Sequence, residues 1–188
     1  MFNALLATKD NDQHSVAVTQ IDKGALTDSG ALIKVDYSTI NYKDALAVTA
    51  TAPIIRRYPL VPGIDLAGVI EESDDPDWQV GDRVVVNGWG MGEGHSGGLA
   101  QYARVPASFL VKLPQNISTR HAMAIGTAGY TASLCVDALE AQGITPDPWR
   151  YPRHRCQRRR GKCRCCAAGR SRILSRCVHW ETRRHRLP

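Results

Sequence analysis

Apolar and polar residues alternate along the first forty positions of the chain in the way that half-buried β-strands require. Residues 2–8 are mostly apolar, and residues 14–21 and 31–37 alternate, with a turn at Asp28-Ser29-Gly30 between them. Because successive side chains of a strand point to opposite faces, this period of two predicts three strands. The first two strands are expected to form a hairpin.

The rest of the pattern predicts three more strands and three helices. The strands are expected at residues 62–70, 81–86 and 99–105, where apolar runs lie between glycines or loops. The helices are expected at residues 41–47, 120–125 and 126–140, with Ser118 as a cap and Gly143 as a terminator. The sequence therefore predicts a mostly β fold with some α-helix.

Two glycines interrupt the apolar run at residues 62–70. Gly63 follows Pro62, and Gly68 lies in the middle of the expected strand. A glycine within such a run marks a backbone bend or a place where another chain segment approaches closely. We expect this run to be central to the fold.

The distribution of charge divides the chain near residue 148. Residues 1–148 contain 10 Lys and Arg against 17 Asp and Glu, whereas residues 149–188 contain 14 Arg and Lys against Glu181 alone. Five of the six cysteines also lie in the last forty residues. The overall charge of +6 thus describes neither part. The first part has the composition of a cytoplasmic globular domain.

Neither a secretory signal nor a membrane span is expected from the sequence. The apolar start at residues 2–7 is short and runs directly into Lys9-Asp10. No stretch is expected to approach the length that crosses a bilayer. Arg56 and Arg57, just before the central run, are expected to face solvent, with an anionic ligand as the alternative.

Three motifs, in order, resemble the medium-chain dehydrogenase/reductase superfamily. They are PGIDLAG at 62–68, VGDRVVV at 80–86 and GGLAQYARV at 97–105. The loop W-G-x-G-E-x-H-x-G-G-L that starts at Trp89 resembles the acrylyl-CoA reductase group of the zinc-free, quinone-oxidoreductase-like branch. This resemblance implies a GroES-like, partly open β-barrel catalytic domain over residues 1–125. Residues 126–148 would be the interdomain helix that starts an incomplete Rossmann cofactor domain.

The segment from Asn41 to Asp44 marks a strand-to-helix corner. On the residues alone, a simple helix cap is the favoured interpretation of Asn41, because Asn and Asp are common at helix starts. The resemblance implies that this corner lines the nicotinamide site, with Tyr42 as cofactor contact and proton donor and with Asn41 and Asp44 as supporting catalytic residues. It also implies cofactor contacts from Thr127 and Thr131. Small residues at a helix packing surface are the alternative for both threonines.

A catalytic zinc ion is not expected. Zinc-dependent members of the superfamily have a cysteine at the corner and a His-Glu pair after the Pro-Gly, whereas this chain has Asn41-Tyr42 and Ile64-Asp65. The glycine-rich loop at 87–98 is not a dinucleotide fingerprint, since a β-like stretch and not a helix follows it. His95 in this loop is a candidate acid or a solvated residue.

The resemblance implies an oxidoreductase that uses NADPH. Hydride would pass to the β-carbon of an enoyl thioester or to a quinone, both small-molecule substrates, and the full-length enzymes would be homodimers. The phosphate-binding loop for the cofactor is missing from this chain. We therefore expect an amino-terminal fragment that is inactive alone.

Residues 149–188 depart from the family pattern. If the bases are regrouped from the second base of the Trp149 codon, permitted codons over Trp149 to Ala168 encode GDILVTGASGGVGNVAVALL, a strand, glycine fingerprint and helix start. We expect a frame slip near residue 148 and a disordered tail. One alternative is a nucleic-acid-binding protein acting through the Arg-rich tail. The other is a metal site on Cys163, Cys165 and Cys166 with His179 or His185.

Overall fold

The computed structural model describes residues 1–26 and 29–143. It contains seven strands in that range: β1 (Phe2–Asp10), β2 (Gln13–Ile21), β3 (Ala31–Ser38), β4 (Asp65–Glu72), β5 (Arg83–Asn87), β6 (Tyr102–Val105) and β7 (Val111–Lys112). Two α-helices accompany them, α1 (Tyr42–Thr49) and α2 (Thr119–Ala141), with short 3-10 helices at Lys23–Ala25 and Ala107–Phe109. The predicted mostly β fold with α-helix is confirmed.

The strands form two antiparallel sheets. β1 and β2 make the predicted hairpin, closed by a two-residue loop in which Asn11 and Asp12 both have positive φ. Such a loop matches the right-handed twist of the flanking strands. The second sheet has the order β6-β3-β4-β5-β7. β1 joins the rest of the domain through backbone hydrogen bonds from Leu5 to Leu99 and between Ala7 and Leu60.

The main core lies around β3, β4 and β5. Ile33, Leu66, Ile70, Val84 and Val86 are completely or almost completely buried and pack in one cluster. Since β4 lies at the centre of the five-stranded sheet, most of its side chains are buried. This placement confirms that the central run organises the fold.

The two glycines of that run lie where a side chain would collide with neighbouring backbone. A Cβ on Gly68 would come within 2.1 Å of the carbonyl oxygen of Lys34 on the paired strand. Gly63 has a φ of 109°, and a Cβ there would lie 2.7 Å from the backbone nitrogen of Leu99. Both the predicted bend and the predicted close approach are therefore confirmed.

Helix α2 is interrupted at Gly126, whose φ of 52° and ψ of −170° are not helical. The chain divides into two compact units close to this point, Met1–Thr127 and Ala128–Pro188. The domain division expected at residue 125 stays a prediction. The expectations for the Arg-rich tail, including disorder, nucleic-acid binding and the cysteine metal site, lie outside the described residues.

In the described part of the chain, α2 has the length and apolar composition of a membrane span. The expectation that no segment approaches this length is thus corrected. A span needs about 20 consecutive helical residues, and the break at Gly126 leaves two shorter helices. Alone, α2 is therefore weak evidence for a membrane location.

Other departures from the sequence-based prediction are local. The strand expected over residues 99–105 begins only at Tyr102, because the preceding residues bridge to β1 through Ala100. The strand expected from residue 62 begins at Asp65. Strand β7 was not predicted, since its two exposed residues carry no recognisable period.

Candidate active site

The buried carboxylate of Asp65 lies at the centre of a hydrogen-bond network. Asp65 is the first residue of β4 and is fully buried. Its Oδ1 accepts from Asn87 Nδ2 at 2.9 Å and from Thr127 Oγ1 at 2.5 Å. Its Oδ2 accepts from Asn41 Nδ2 at 2.8 Å and from the Thr127 backbone N–H at 2.9 Å. Four donors therefore satisfy this buried charge.

These four donors come from three parts of the first unit. Asn41 precedes α1, Asn87 ends β5, and Thr127 follows the break in α2. The backbone carbonyl of Asp65 also accepts from Ser38 Oγ, at the end of β3. Asp65 therefore fixes the ends of β3 and β5, the start of α1 and residue Thr127 relative to each other.

A second buried carboxylate, Asp44, lies in the first turn of α1. Its Oδ2 accepts from the Asn41 backbone N–H at 2.7 Å and its Oδ1 from the Ile64 backbone N–H at 2.9 Å. Burial raises the pKa of Asp44 above its usual value of 3.8, although these N–H bonds act in the opposite direction. Asp44 thereby joins the start of α1 to the residue before Asp65.

Asn41 connects the two carboxylates. Its backbone N–H donates to Asp44, and its side-chain amide donates to Asp65. Asn41 also occupies the N-cap position of α1, so the helix-cap alternative holds as well. Capping and the link to Asp65 are compatible because they use different groups of the same residue.

Tyr42, the first residue of α1, is 80% exposed. Its neighbour Asn41 and nearby Asp44 are held inside the domain by the bonds described above. The start of the helix is thus fixed, while the phenol points away from the protein core. This arrangement leaves the Tyr42 ring and hydroxyl accessible to a ligand.

The two candidate threonines of α2 differ in their environment. Thr127 directs both its backbone N–H and its hydroxyl to Asp65, so this side chain is part of the network. Thr131 lies in the second unit and is exposed. The structure brings Asn41, Asp44 and Thr127 into one connected set, with Tyr42 beside it in the chain. The site roles assigned to these residues stay predictions.

Three aromatic rings lie together in the glycine-rich loop region. Trp89 is 60% exposed and stacks on Phe109 with ring centroids 5.1 Å apart. The His95 ring meets Phe109 edge-on at 5.3 Å. His95 therefore has a packing contact, which neither the acid nor the solvated alternative included. Phe109 in turn packs against the main core, so these rings are anchored to the domain.

Arg56 faces solvent, as the sequence predicted, and it also forms an ion pair. Its guanidinium contacts the Glu93 carboxylate at 3.4 Å, and Glu93 also contacts Lys43 Nζ at 2.6 Å. Among the described residues, no group of three or more His, Cys, Asp or Glu side chains is arranged to hold a metal ion. Asp65, at the position compared with the zinc-ligand motif, instead receives amide, hydroxyl and backbone donors.

Sequence reasoning missed Asp65 and Asn87 as site residues. The available signal was a carboxylate within an otherwise apolar run, because a buried ionised group requires several hydrogen-bond partners. Asn87 carried a weaker signal, as the polar residue that ends an apolar strand. Neither signal identifies the side-chain partners of Asp65, which lie 22, 24 and 62 positions away in the chain.

Residues 27–115 match the family model described as the alcohol dehydrogenase GroES-like domain. The chain is 48% identical over 148 residues to "Acrylyl-CoA reductase AcuI" of Ruegeria pomeroyi, covering 78% of this chain and 45% of that protein. It is 48% identical over 147 residues to "Putative quinone oxidoreductase YhfP" of Bacillus subtilis, covering 78% and 44%. The GroES-like fold inferred from the motifs is confirmed.

A solved structure shows the same similarity in three dimensions. The yhdH oxidoreductase from Salmonella enterica, in complex with NADP, superposes with a TM-score of 0.74 at 46% identity. The match covers 77% of this chain and 44% of that one. The chain thus spans less than half the length of the relatives that it matches.

Proposed function

The chain belongs to the medium-chain dehydrogenase/reductase superfamily, with a GroES-like domain at residues 27–115, and on this premise we propose that it is the catalytic-domain part of a zinc-free, NADPH-dependent reductase. The proposed reaction transfers hydride to the β-carbon of an enoyl thioester, with quinone reduction as the close alternative. The names of the relatives at 48% identity support both substrate classes.

The observation that carries this proposal is the network around Asp65. It connects Asn41 to Thr127, which are 86 positions apart in the chain and were both expected at the nicotinamide site. A network of buried hydrogen bonds holds such groups in one arrangement. Fixed positions for cofactor-contacting residues are what hydride transfer requires, because the reacting atoms must meet in a defined geometry.

The described residues fit the nicotinamide end of the cofactor. Tyr42 offers an exposed ring and hydroxyl, and the hydrogen bonds to Asp65 hold Thr127 in a fixed position. Thr131 is the remaining expected contact. When bound, NADPH supplies the hydride. No strand, glycine loop and helix unit for its phosphates occurs in the described part.

The residues of this chain would orient the substrate and supply a proton. The Tyr42 hydroxyl can donate a hydrogen bond or a proton to an oxygen or carbon that gains electron density. Asn41 and Asp44 hold the start of α1 and thereby the position of Tyr42. Asp65 holds Asn41 and Thr127 from inside the domain, so it acts as a positioning residue.

The cellular setting is part of the same proposal. We infer a cytoplasmic enzyme that acts on small-molecule substrates and whose full-length form is a homodimer. It is not expected to bind a membrane or a specific nucleic acid. The acidic composition of residues 1–148 supports this, since phosphate backbones attract positively charged surfaces.

A chimera tests the proposal. Residues 1–143 of this chain would replace the matching residues of the Ruegeria pomeroyi reductase, whose remaining part supplies the rest of the fold. We expect NADPH-dependent reduction of acrylyl-CoA or of a quinone. In this chimera, Tyr42→Phe should lower kcat by about tenfold or more with a smaller change in KM.

Tyr37→Phe is the matched control, because Tyr37 is also an exposed tyrosine of the first unit. It should leave kcat within about twofold of the parent chimera. A folded chimera that reduces neither substrate would contradict the proposed function. Equal effects of the two substitutions would leave Tyr42 without a catalytic role.

A further inference from the structure

Lys43 and Arg56 come from different segments and meet at one carboxylate. Lys43 Nζ lies 2.6 Å from Glu93 Oε1, and an Arg56 terminal nitrogen lies 3.4 Å from Glu93 Oε2. The Arg56 backbone N–H also donates to the Glu93 carbonyl at 2.9 Å. We call Lys43 and Arg56 the cationic pair. Because both contact the same carboxylate, their charged groups lie within a few ångströms of each other.

The charge of this cluster is not balanced. Glu93 supplies one negative charge against the two positive charges of the cationic pair. The Glu93 side chain is only 15% exposed, whereas the side chains of Lys43 and Arg56 are 45% and 77% exposed. The anion is therefore mostly covered while the cations face solvent, within a part of the chain that is acidic overall.

The position of Lys43 is unfavourable for the helix that carries it. Lys43 lies in the first turn of α1, where the unpaired N–H groups of the helix favour negative charge and disfavour a cation. Glu93 offsets this effect locally. A cation at this helix end, together with Arg56, makes a region that attracts an anion.

The cationic pair lies beside the candidate active site. Lys43 follows Tyr42 directly, and Glu93 belongs to the same glycine-rich loop as Trp89. The cationic pair and Tyr42 therefore share the start of α1, and a ligand as long as an acyl thioester with its nucleotide carrier spans more than one turn of this helix. Arginine and lysine with several free N–H donors are suited to phosphate oxygens.

We propose that the cationic pair binds phosphate groups of the nucleotide carrier of an acyl thioester of the coenzyme A type. This inference rests on the proposed function and selects the thioester over the quinone, because a quinone has no phosphate. Glu93 holds the two cations in place before the ligand arrives, so less side-chain freedom is lost on binding.

The test uses the complete 188-residue chain and isothermal titration with two probes. Butyryl-CoA is a saturated thioester that cannot be reduced, and S-butyryl-pantetheine is its analogue without the nucleotide and its phosphates. The chain should bind butyryl-CoA with higher affinity than S-butyryl-pantetheine. In Lys43→Gln/Arg56→Gln, affinity for butyryl-CoA should fall by about tenfold or more, while affinity for the pantetheine thioester stays unchanged.

Two variants serve as controls. Lys9→Gln/Lys112→Gln removes the same charge from two lysines that each pair with a single aspartate elsewhere, so it should retain wild-type affinity within about twofold. Lys43→Arg/Arg56→Lys keeps both charges and should retain most of the preference for butyryl-CoA over S-butyryl-pantetheine. The basic residues 149–188 are present in every variant, so their contribution to binding is constant.

Each remaining outcome overturns the inference. Equal losses in both double Gln variants would show an effect of overall charge alone. Unchanged butyryl-CoA binding in Lys43→Gln/Arg56→Gln would remove the subsite and leave the proposed function standing. If Lys43→Gln/Arg56→Gln lost affinity for NADPH and not for butyryl-CoA, the cationic pair would bind the phosphates of the cofactor. Absence of thioester binding to the complete chain would also overturn it, and activity of the chimera then decides separately about the proposed function.

Discussion

At the scale of single residues, two buried carboxylates determine the geometry of the candidate site. Asp65 receives side-chain and backbone donors from three segments, and Asp44 receives two backbone donors. Burying an ionised carboxylate is unfavourable unless its oxygens are hydrogen-bonded. The four bonds to Asp65 therefore do two things, since they offset the loss of hydration and fix the donors in space.

Asp65→Asn should destabilise the first unit strongly. The amide keeps one acceptor oxygen but turns an NH₂ group towards donors that now lack a partner. We expect a loss of roughly 2–4 kcal/mol in the free energy of unfolding, measured with urea. Asp12→Asn, at an exposed aspartate paired with Lys9, should leave the free energy of unfolding almost unchanged. Similar small effects of both substitutions would contradict the central role of Asp65.

Asp44 should make stability decrease as pH rises. Because burial raises its pKa above 3.8, folded Asp44 keeps its proton to a higher pH than unfolded Asp44 does. Between the two pKa values the folded state binds more protons, so the free energy of unfolding falls as pH rises through this window. The cost of the buried charge is then fully present above the folded pKa.

Asp44→Asn removes this titration. In urea unfolding from about pH 4 to pH 7, the variant should therefore lose less stability than the wild type over the rise in pH. The lowered pKa values of Asp82 and Glu71, which pair with Lys112 and Lys23, act in the opposite direction in both proteins and cancel in the comparison. Parallel curves would show that the pKa of Asp44 is not raised.

At the scale of elements, the break in α2 places Thr127 on the network. Gly126 adopts a φ of 52° and a ψ of −170°, a backbone conformation essentially restricted to glycine. A Cβ there would also lie 3.0 Å from Thr39 Cγ2 and 3.2 Å from Asp65 Oδ2. The break is therefore required at this residue, and a continuous helix would carry Thr127 elsewhere.

Gly126→Ala should destabilise the first unit by about 1–3 kcal/mol, through backbone strain and the close contacts together. Gly81→Ala is the matched control, because Gly81 also has a positive φ but has no atom within 4 Å of an added Cβ. The difference between the two free energies of unfolding isolates the contacts with Thr39 and Asp65. Equal losses would mean that strain alone matters at residue 126.

At the scale of the whole molecule, the helical part of the second unit exposes large apolar side chains. Tyr130 and Leu134 are four residues apart, so they share one face of α2, and both are about half exposed. Leu139 is exposed as well, whereas Val136 is only partly so. Contiguous exposed apolar surface of this kind promotes association.

The 188-residue chain should therefore associate as its concentration rises. We expect the mean mass in sedimentation experiments to increase with protein concentration. This association should persist at about 1 M salt, because salt does not screen apolar contacts. Tyr130→Gln/Leu134→Gln should reduce this association, whereas Val18→Thr/Val80→Thr, at exposed valines outside α2, should not. A constant monomeric mass, or dissociation by salt alone, would contradict the prediction.

Local pattern determined most of the elements and some of the packing. The period of two predicted β1, β2 and β3, the change of period predicted α1, and the glycines of the central run predicted a close approach that Gly68 makes with Lys34. These features depend on residues close together in the chain. The corner from Asn41 to Asp44 could be located for the same reason.

Only the tertiary structure decided which distant residues meet. Asp65 bonds to Thr127 across 62 positions, and Glu93 joins Lys43 to Arg56 across 50 and 37 positions. Such contacts arise from the strand order and from the break in α2, neither of which leaves a periodic signal in the sequence. A carboxylate in an apolar run indicates that hydrogen-bond donors are needed, because a buried charge is unfavourable without them. Which residues supply these donors depends on the tertiary structure.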